Sequence, residues 1–209
     1  MDHIIQTLEK RKLVPVIKLD SPEQARPLGQ ALLSGGLPIA EITFRTEAAA
    51  ASIRIMTQEF PEMCVGAGSL VTAEQAEQAL AAGAVFFVSA GFSPAVADVA
   101  DANDIPYFPG CCTPSEIITC ISRGYRIVKF FPAEQYGGLD TIKALAAPFP
   151  GLRFMPTGGI HAGNIKEYLA SDKVIACGGS WMAAPKLLSS GRYDEIERLV
   201  REAVVLVNN

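Results

Sequence analysis

Residues 124–134 read Gly-Tyr-Arg-Ile-Val-Lys-Phe-Phe-Pro-Ala-Glu, and the fold can be built outward from this apolar run. Its β-branched and aromatic residues favour a strand over 125–131. Pro132 should end that strand, because proline has no N–H for a sheet ladder. Lys129 stands among apolar neighbours at the carboxyl end of the run. A lysine there is costly unless it is exposed, paired or neutral, so this position predicts either a solvated strand end or a reactive amine.

A short apolar run followed by a helical stretch occurs eight times along the chain. The predicted strands cover residues 14–19, 38–43, 64–68, 84–89, 105–108, 125–131, 152–157 and 173–177. The predicted helices cover residues 3–12, a stretch from Ser21-Pro22 to Gly35-Gly36, then 46–59, 72–82, 93–102, 114–123, 138–147, 163–170 and a closing region that includes 193–207. Capping residues mark several of the helix starts, with a capping box predicted from Thr113 to Glu116.

This alternation predicts an α/β fold with a parallel sheet. The strands are mostly continuous apolar runs, as expected when helices cover both faces of a sheet. Eight such units without a composition shift predict one domain over residues 1–209, a single-domain (β/α)8 TIM barrel with a short N-terminal helix. The alternative is an open doubly wound sheet, whose usual G-x-G-x-x-G fingerprint is absent after the first strand.

Composition excludes several classes of protein. With 209 residues, 49% of them hydrophobic, the chain can bury one large core. The net charge of −4 leaves no basic surface that would favour nucleic acid as the main partner. No apolar run approaches the ~18 residues of a membrane span, and the N-terminus lacks a signal-peptide pattern. We therefore expect no membrane partner and a cytoplasmic location.

Cysteine and histidine usage argues against a metal or disulfide framework. The five cysteines include no Cys-x-x-Cys spacing, and there are only two histidines. Neither set fits a zinc site, although a carboxylate-held Mg²⁺ is not excluded by counting. The adjacent Cys111 and Cys112 are interpreted as small buried residues rather than a redox or metal pair.

A barrel of this type carries its working residues at the carboxyl ends of its strands. The polar residues at those ends are Glu41, Thr43, Arg45, Ser69, Lys129, Thr157 and Ser180. Glu41, Thr43 and Arg45 have the same parity, so we expect all three to face the barrel mouth while the strand continues. Lysine, glutamate and arginine at one rim favour a functional interpretation over a structural ion pair.

A reactive lysine requires the neutral amine. In water a lysine amine is almost entirely protonated at pH 7, whereas burial and a neighbouring positive charge favour the neutral form. A neutral amine can add to a ketone and form a Schiff base. The sequence therefore predicts covalent carbonyl chemistry at Lys129.

Two glycine pairs predict a phosphate site. Gly158-Gly159 follows the predicted seventh strand and Gly178-Gly179 follows the predicted eighth. Without Cβ atoms, such turns let backbone N–H groups approach an anion, and these two loops are the usual phosphate site of barrels. We also expect Gly66-Ala-Gly68 to let the backbone close around the other end of the substrate.

These motifs together resemble the bacterial 2-keto-3-deoxy-6-phosphogluconate (KDPG) aldolases, which overlap with the 4-hydroxy-2-oxoglutarate (KHG) aldolases. The resemblance runs over nearly the whole chain and rests on Pro15-Val-Ile, Glu41-Ile-Thr-Phe-Arg-Thr-Glu47, Gly66-Ala-Gly, Val128-Lys-Phe-Phe-Pro-Ala-Glu134, Pro156-Thr-Gly-Gly-Ile160 and Gly178-Gly-Ser-Trp181. It implies a metal-free class I aldolase on a trimeric (β/α)8 barrel. The implied substrate is a phosphorylated keto acid, with no cofactor beyond the Schiff base.

The resemblance also implies roles for individual residues. Lys129 would form the Schiff base, and Glu41 would move protons. The implied substrate contacts are Arg45 for the pyruvate carboxylate, Ser69 and Thr157 beside it, Phe131 against the keto acid, and Gly158, Gly159, Gly179 and Ser180 for the phosphate. Two residues depart from the family pattern: Ser69 replaces the usual threonine and Ala90 the usual proline, which bears on substrate preference but removes no catalytic group.

Other functions stay open from the sequence alone. One alternative is an aldolase for 2-dehydro-3-deoxy-6-phosphogalactonate, the C4 epimer of the gluconate substrate. Metal-dependent pyruvate aldolases or phosphate-binding isomerases would need carboxylates to hold Mg²⁺. A non-catalytic barrel that binds sugar phosphates would keep the glycine loops but need no lysine at 129. His161, after Gly-Gly-Ile, is interpreted as an exposed helix cap rather than a catalyst.

Overall fold

Eight parallel β-strands alternate with α-helices in the computed structural model, which describes residues 2–209. The strands are β1 (Leu13–Ile17), β2 (Ile39–Thr43), β3 (Cys64–Gly68), β4 (Phe87–Val88), β5 (Tyr107–Phe108), β6 (Ile127–Phe130), β7 (Arg153–Pro156) and β8 (Cys177–Gly179). The helices are α1 (Asp2–Arg11), α2 (Ala25–Ser34), α3 (Ala49–Glu59), α4 (Ala73–Ala81), α5 (Pro94–Ala102), α6 (Pro114–Ser122), α7 (Gly138–Ala146), α8 (Ile165–Leu169), α9 (Pro185–Ser189) and α10 (Tyr193–Asn208). Short 3₁₀ helices cover Pro22–Gln24, Glu134–Tyr136 and Trp181–Ala183.

Capping side chains fix where several helices begin. The Thr113 side chain accepts a hydrogen bond from the Glu116 N–H, and Glu116 reaches back to the Thr113 N–H. The predicted capping box is therefore confirmed, and Pro114 at the first helical position supports it. A second reciprocal box joins Thr72 to Gln75 at the start of α4. These caps satisfy N–H groups that a helix leaves without partners.

The strands hydrogen-bond in two groups with parallel register. One sheet has the order β5-β4-β3-β2-β1-β8, and the other pairs β6 with β7. Between the two groups lie isolated parallel bridges, Gly110 with Lys129 on one side, and Phe154 with Val174 and Thr157 with Gly178 on the other. The chain therefore has a parallel α/β fold with a curled sheet.

Several strands are shorter than the apolar runs that predicted them. Of the predicted stretches 84–89 and 105–108, only Phe87–Val88 and Tyr107–Phe108 form strands. Flanking residues still make main-chain hydrogen bonds to the neighbouring strands, such as Val85 N–H to the carbonyl of Val65 (2.9 Å). The prediction of a last strand at 173–177 was wrong in its bounds. β8 begins at Cys177 and consists mainly of glycines, which pair with β1 but give little strand signal in a sequence.

One hydrophobic core runs through the described chain, from Leu8 in α1 to Val207 in α10. Its largest fully buried side chains include Phe86, Phe108 and Phe130. Within residues 2–209, no helix has the length and apolar character that a membrane crossing requires. The packed strands hold the carboxyl ends of β2 and β6 at fixed positions, and the candidate site lies there.

Candidate active site

Lys129 is held rigidly at the carboxyl end of β6. Its N–H donates to the carbonyl of Pro109 (2.8 Å), and its carbonyl accepts from the N–H of Cys111 (2.9 Å). The side chain is only 5% exposed, and its Nζ lies 3.2 Å from Oε1 of Glu41. The structure therefore brings together the two residues that the sequence predicts as catalytic.

Glu41 is fully buried at the middle of β2. While Oε1 contacts Lys129, Oε2 has no hydrogen-bond partner among the described residues. An unpaired buried polar atom costs about 1–3 kcal/mol. Such an atom beside a buried amine is a proton acceptor that nothing else in the described fold uses.

Glycines at the end of β3 create the space for this carboxylate. A Cβ on Gly68 would lie 2.1 Å from Glu41 Oε1, and a Cβ on Gly66 would lie 2.2 Å from the ring of Phe86. The missing side chains make room for the Glu41 carboxylate and for a core aromatic ring. The expectation that this segment closes around the substrate stays a prediction.

Arg45 reaches the rim from outside the strand. β2 ends at Thr43, so Arg45 lies two residues beyond it and is exposed, whereas Glu41 and Thr43 are buried. The parity rule applies only as far as Thr43, where the strand stops. Arg45 Nε still donates to Oγ1 of Thr43 (3.1 Å), which itself donates to the carbonyl of Ile17 (3.0 Å). Arg45 makes no ion pair with any described carboxylate, so its guanidinium is available to an anion.

Phe131 and Ser69 flank the buried pair. The centre of the Phe131 ring lies 5.5 Å from Lys129 Nζ, and the residue is 38% exposed, so one part of it faces solvent. Ser69 follows β3 with a φ of 58°, a left-handed conformation that is uncommon outside glycine. Such strained residues cluster at functional sites.

The turn after β7 leaves main-chain N–H groups free. Gly158 and Gly159 have φ values of 98° and 77°, which glycine adopts without strain. Among the described residues, no acceptor is bound by the N–H groups of Gly159 or Ser180. The N–H of Gly158 faces Gly178 instead, since Thr157 and Gly178 form a parallel bridge. Free N–H groups in glycine turns form anion-binding concavities.

Thr157 and β8 lie next to the glycine turn. Thr157 is buried, bridges to Gly178, and its Oγ1 has no partner in the described chain. A Cβ on Gly178 would lie 2.3 Å from that oxygen, and a Cβ on Gly179 would lie 2.1 Å from the ring of Trp181. Both glycines are therefore required by close packing of neighbouring side chains.

The cysteines and His161 lie apart from this chemistry. The Sγ atoms of Cys111 and Cys120 are 3.2 Å apart, and this hydrogen bond together with burial raises the pKa of Cys111. Burial also raises the pKa of the half-buried Cys112, so both thiols stay protonated at neutral pH. His161 is exposed and accepts from the N–H of Gly163 through Nδ1. Among residues 2–209, no cluster of three histidine, cysteine or acidic residues is arranged to hold a metal ion.

The sequence did not single out the residues whose hydrogen bonds fix the glycine turn. Glu134, Asn164 and Tyr168 all contact the turn or one another. Asn164 and Tyr168 lie in or beside a helix and have no pattern that marks them. Glu134 was visible only as the last residue of the quoted motif.

Comparisons with known proteins agree with this geometry. A family model described as KDPG and KHG aldolase matches residues 4–199. The 2-dehydro-3-deoxy-phosphogluconate aldolase of Haemophilus influenzae is 44% identical over 204 residues, covering 98% of this chain and 96% of the relative. That of Treponema pallidum is 42% identical over 204 residues, covering 98% and 97%. A crystal structure of KDPG aldolase from Legionella pneumophila, with pyruvate captured at low pH as a covalent carbinolamine, superimposes with a TM-score of 0.91 at 33% identity and covers 95% of this chain and 97% of that one.

Proposed function

Because the chain belongs to the KDPG and KHG aldolase family, we propose that it is a class I aldolase with its Schiff base on Lys129. The substrate is 2-dehydro-3-deoxy-6-phosphogluconate, and the products are pyruvate and D-glyceraldehyde 3-phosphate. A second substrate is 4-hydroxy-2-oxoglutarate, which gives pyruvate and glyoxylate. The observation that carries the proposal is the buried contact of 3.2 Å between the Lys129 amine and the Glu41 carboxylate.

The reaction begins at the amine. Neutral Lys129 adds to the C2 carbonyl of the substrate, and loss of water from the carbinolamine leaves an iminium ion. The C3–C4 bond then breaks, its electron pair moves into the iminium to form an enamine, and the C4 hydroxyl proton leaves with a base. Glyceraldehyde 3-phosphate departs at this stage. Protonation of the enamine at C3 and hydrolysis of the resulting imine release pyruvate and restore the amine.

Glu41 is the proton carrier for both halves of this reaction. It accepts the C4 hydroxyl proton during bond cleavage, through a water molecule, and returns a proton to C3 of the enamine. Support comes from Oε2, the buried oxygen with no partner among the described residues, which is free to hold a proton. A group that takes and returns a proton contributes about 10²–10⁴-fold to a rate.

The pyruvate half is held at the rim. Arg45 binds its carboxylate, Ser69 and Thr157 lie beside it, and Phe131 packs against the keto acid. The free guanidinium of Arg45 supports this assignment, since arginine pairs with carboxylates in a bidentate way. The contact of the Phe131 ring with the Lys129 amine supports a position next to the new covalent bond.

The phosphate is held by main-chain groups. We assign it to Gly158, Gly159, Gly179 and Ser180, and the free N–H groups of the two loops support the assignment. No metal ion takes part in the proposed mechanism, since the iminium is the electron sink. Cleavage should therefore be insensitive to EDTA, and a loss of activity that Mg²⁺ restores would contradict this.

Three further properties belong to the same proposal. The two strand groups form one closed (β/α)8 barrel, which the isolated bridges at Lys129 and Thr157 support. Residues 1–209 form one domain, supported by the single core from Leu8 to Val207, and should unfold in one cooperative transition. The resemblance to the family implies a cytoplasmic homotrimer, and light scattering in solution should give the mass of three chains.

Borohydride trapping tests the central claim. The protein is incubated with pyruvate, reduced with borohydride and digested, and the modified peptide is identified by mass spectrometry. We expect one stable adduct, on Lys129, because reduction fixes the imine as a secondary amine. The same treatment of a Lys129→Arg variant is the control and should give no adduct. An unmodified protein, or an adduct on another lysine, would refute the proposal.

A further inference from the structure

The anion turn, residues 157–161, is held from outside by side chains that take no part in the proposed chemistry. The carbonyl of Gly158 accepts from the N–H of Glu134 (3.1 Å), and that of Gly159 accepts from Nδ2 of Asn164 (3.0 Å). Oδ1 of the same Asn164 accepts from the N–H of His161 (2.9 Å). Both glycine carbonyls are thus bound by the protein, while the N–H group of Gly159 stays free.

Glu134 is itself fixed by a buried tyrosine. The hydroxyl of Tyr168, a residue of α8 that is 2% exposed, donates to Oε1 of Glu134. Burial and this hydrogen bond raise the pKa of Tyr168, so the phenol remains a donor throughout the neutral and mildly alkaline range. The stem of Glu134 fills the space behind the turn, where a Cβ on Gly159 would lie 2.4 Å from Cγ of Glu134.

We propose that Glu134, Tyr168 and Asn164 are positioning residues that present the N–H group of Gly159 to the substrate phosphate. This inference rests on the proposed function, in which the turn binds that phosphate. Neutral N–H donors bind an anion well only when they are held in place beforehand. If the anchors are removed, the turn can rotate its peptide groups, and phosphate affinity falls.

Removal of these anchors should not affect imine formation or proton transfer, since β6 and β2 hold Lys129 and Glu41. This separation provides the test. Exchange of the methyl protons of pyruvate with D2O requires the imine and enamine but no phosphate. Anchor loss should therefore change the KM of the phosphorylated substrate and leave pyruvate exchange unchanged.

The experiment compares Tyr168→Phe and Asn164→Ala with Tyr125→Phe. Tyr125 is a matched control, because its hydroxyl also donates to a carboxylate, that of Asp101 (2.7 Å), but in the segment that precedes β6. We expect the first two variants to raise the KM for KDPG about tenfold, with kcat and pyruvate exchange within about twofold of the unaltered protein. The control should leave all three quantities unchanged.

A second pair of variants separates positioning from simple loss of structure. Glu134→Gln keeps the stem and an acceptor for Tyr168, so its KM should stay within about twofold, whereas Glu134→Ala should raise it as Tyr168→Phe does. An unchanged KM in Tyr168→Phe and Asn164→Ala would overturn the inference. A parallel loss of cleavage and pyruvate exchange would overturn it too, because that indicates a general structural role.

Binding of inorganic phosphate tests the anion turn independently of catalysis. Titrated against the amide resonance of Gly159, phosphate should shift that resonance in the unaltered protein and bind about tenfold more weakly to Tyr168→Phe and Asn164→Ala. Equal phosphate affinity in all three proteins would refute the positioning role. Absence of KDPG cleavage by the unaltered protein would refute the proposed function instead, and the phosphate titration would still decide the inference.

Discussion

The buried pair of Lys129 and Glu41 and the anion turn differ in the groups they would offer the substrate, side chains in the first and main-chain N–H groups in the second. In the proposed mechanism Lys129 and Glu41 act through their side chains, which the strands enclose almost completely. The turn at Gly158 and Gly159 would act through its main chain, where the N–H of Gly159 is free. A side-chain site depends on which residues are present, whereas a main-chain site depends on how the backbone is held. Substitutions in the first region should therefore change kcat, and those in the second should change KM.

The largest effect should follow the loss of the amine. Lys129→Arg keeps the positive charge, but a guanidinium stays protonated and cannot form the imine. Without the covalent route we expect turnover to fall by about 10⁴-fold or more, a large part of a typical enzymatic rate enhancement. Pyruvate release by the coupled assay measures this, with Lys143→Arg on the surface as the control. Circular dichroism must show that the variant keeps its fold. Cleavage near the normal rate in Lys129→Arg would refute the requirement for the Lys129 amine.

Glu41→Gln should be the next most damaging change. The amide keeps the shape of the carboxylate but cannot carry the proton, so we expect kcat to fall about 10²–10⁴-fold. Imine formation should persist, so the borohydride adduct with pyruvate should still appear. Glu202→Gln, on the exposed face of α10, is the matched control. A normal kcat in Glu41→Gln would show that another group moves the proton.

Gly68→Ala tests whether the carboxylate must stay where β3 leaves room for it. The new Cβ would lie 2.1 Å from Oε1, so the carboxylate must move. A displacement of about 1 Å can cost as much as 10²-fold, and we expect kcat to fall about 10–100-fold. Gly91→Ala is the control, since no atom lies within 4 Å of its Cβ position. Equal activity in the two variants would mean that the carboxylate position is not decisive.

The smallest effect should come from the main-chain site. Gly159→Ala combines a left-handed φ of 77° with a contact of 2.4 Å to Glu134, so the turn should shift. We expect the KM for KDPG to rise about tenfold, or ~1.4 kcal/mol of binding, with pyruvate exchange unchanged. Gly151→Ala has a similar φ of 84° and no atom near its Cβ position, so it carries the backbone strain without the contact. A kcat effect in Gly159→Ala that matches its KM effect would erase the distinction between the two regions.

The side-chain site could be predicted from the sequence because its residues are anomalies. Lys129 interrupts an apolar strand and Glu41 lies in another, and strand ends of a parallel sheet converge at one edge. The exposure of Arg45 was not predictable, since the sequence does not reveal that β2 ends at Thr43. The strand–helix order was recovered for the same reason as the pair: apolar periodicity is strong where a whole strand is buried.

The main-chain site was only half predictable. The glycine pairs were visible, but the anchors Asn164 and Tyr168 look like ordinary residues in or beside a five-residue helix. Their role depends on which atoms face the turn, and that follows from packing rather than from spacing. The reason for Gly66 was not visible either, because its missing Cβ makes room for the ring of Phe86, which is distant in the sequence. A glycine in a sequence says that space is needed, but not which neighbour occupies it.

The buried ion pair of Lys129 and Glu41 has an evolutionary consequence. A buried ion pair can often be replaced by apolar residues of similar size with no loss of stability, or with a gain of about 1–4 kcal/mol. Selection for robustness alone would therefore remove the glutamate at 41 and the lysine at 129 together. Descendants of this fold with apolar residues at both positions should be more stable to unfolding and should lack aldolase activity. The paired substitution would identify such proteins from their sequences.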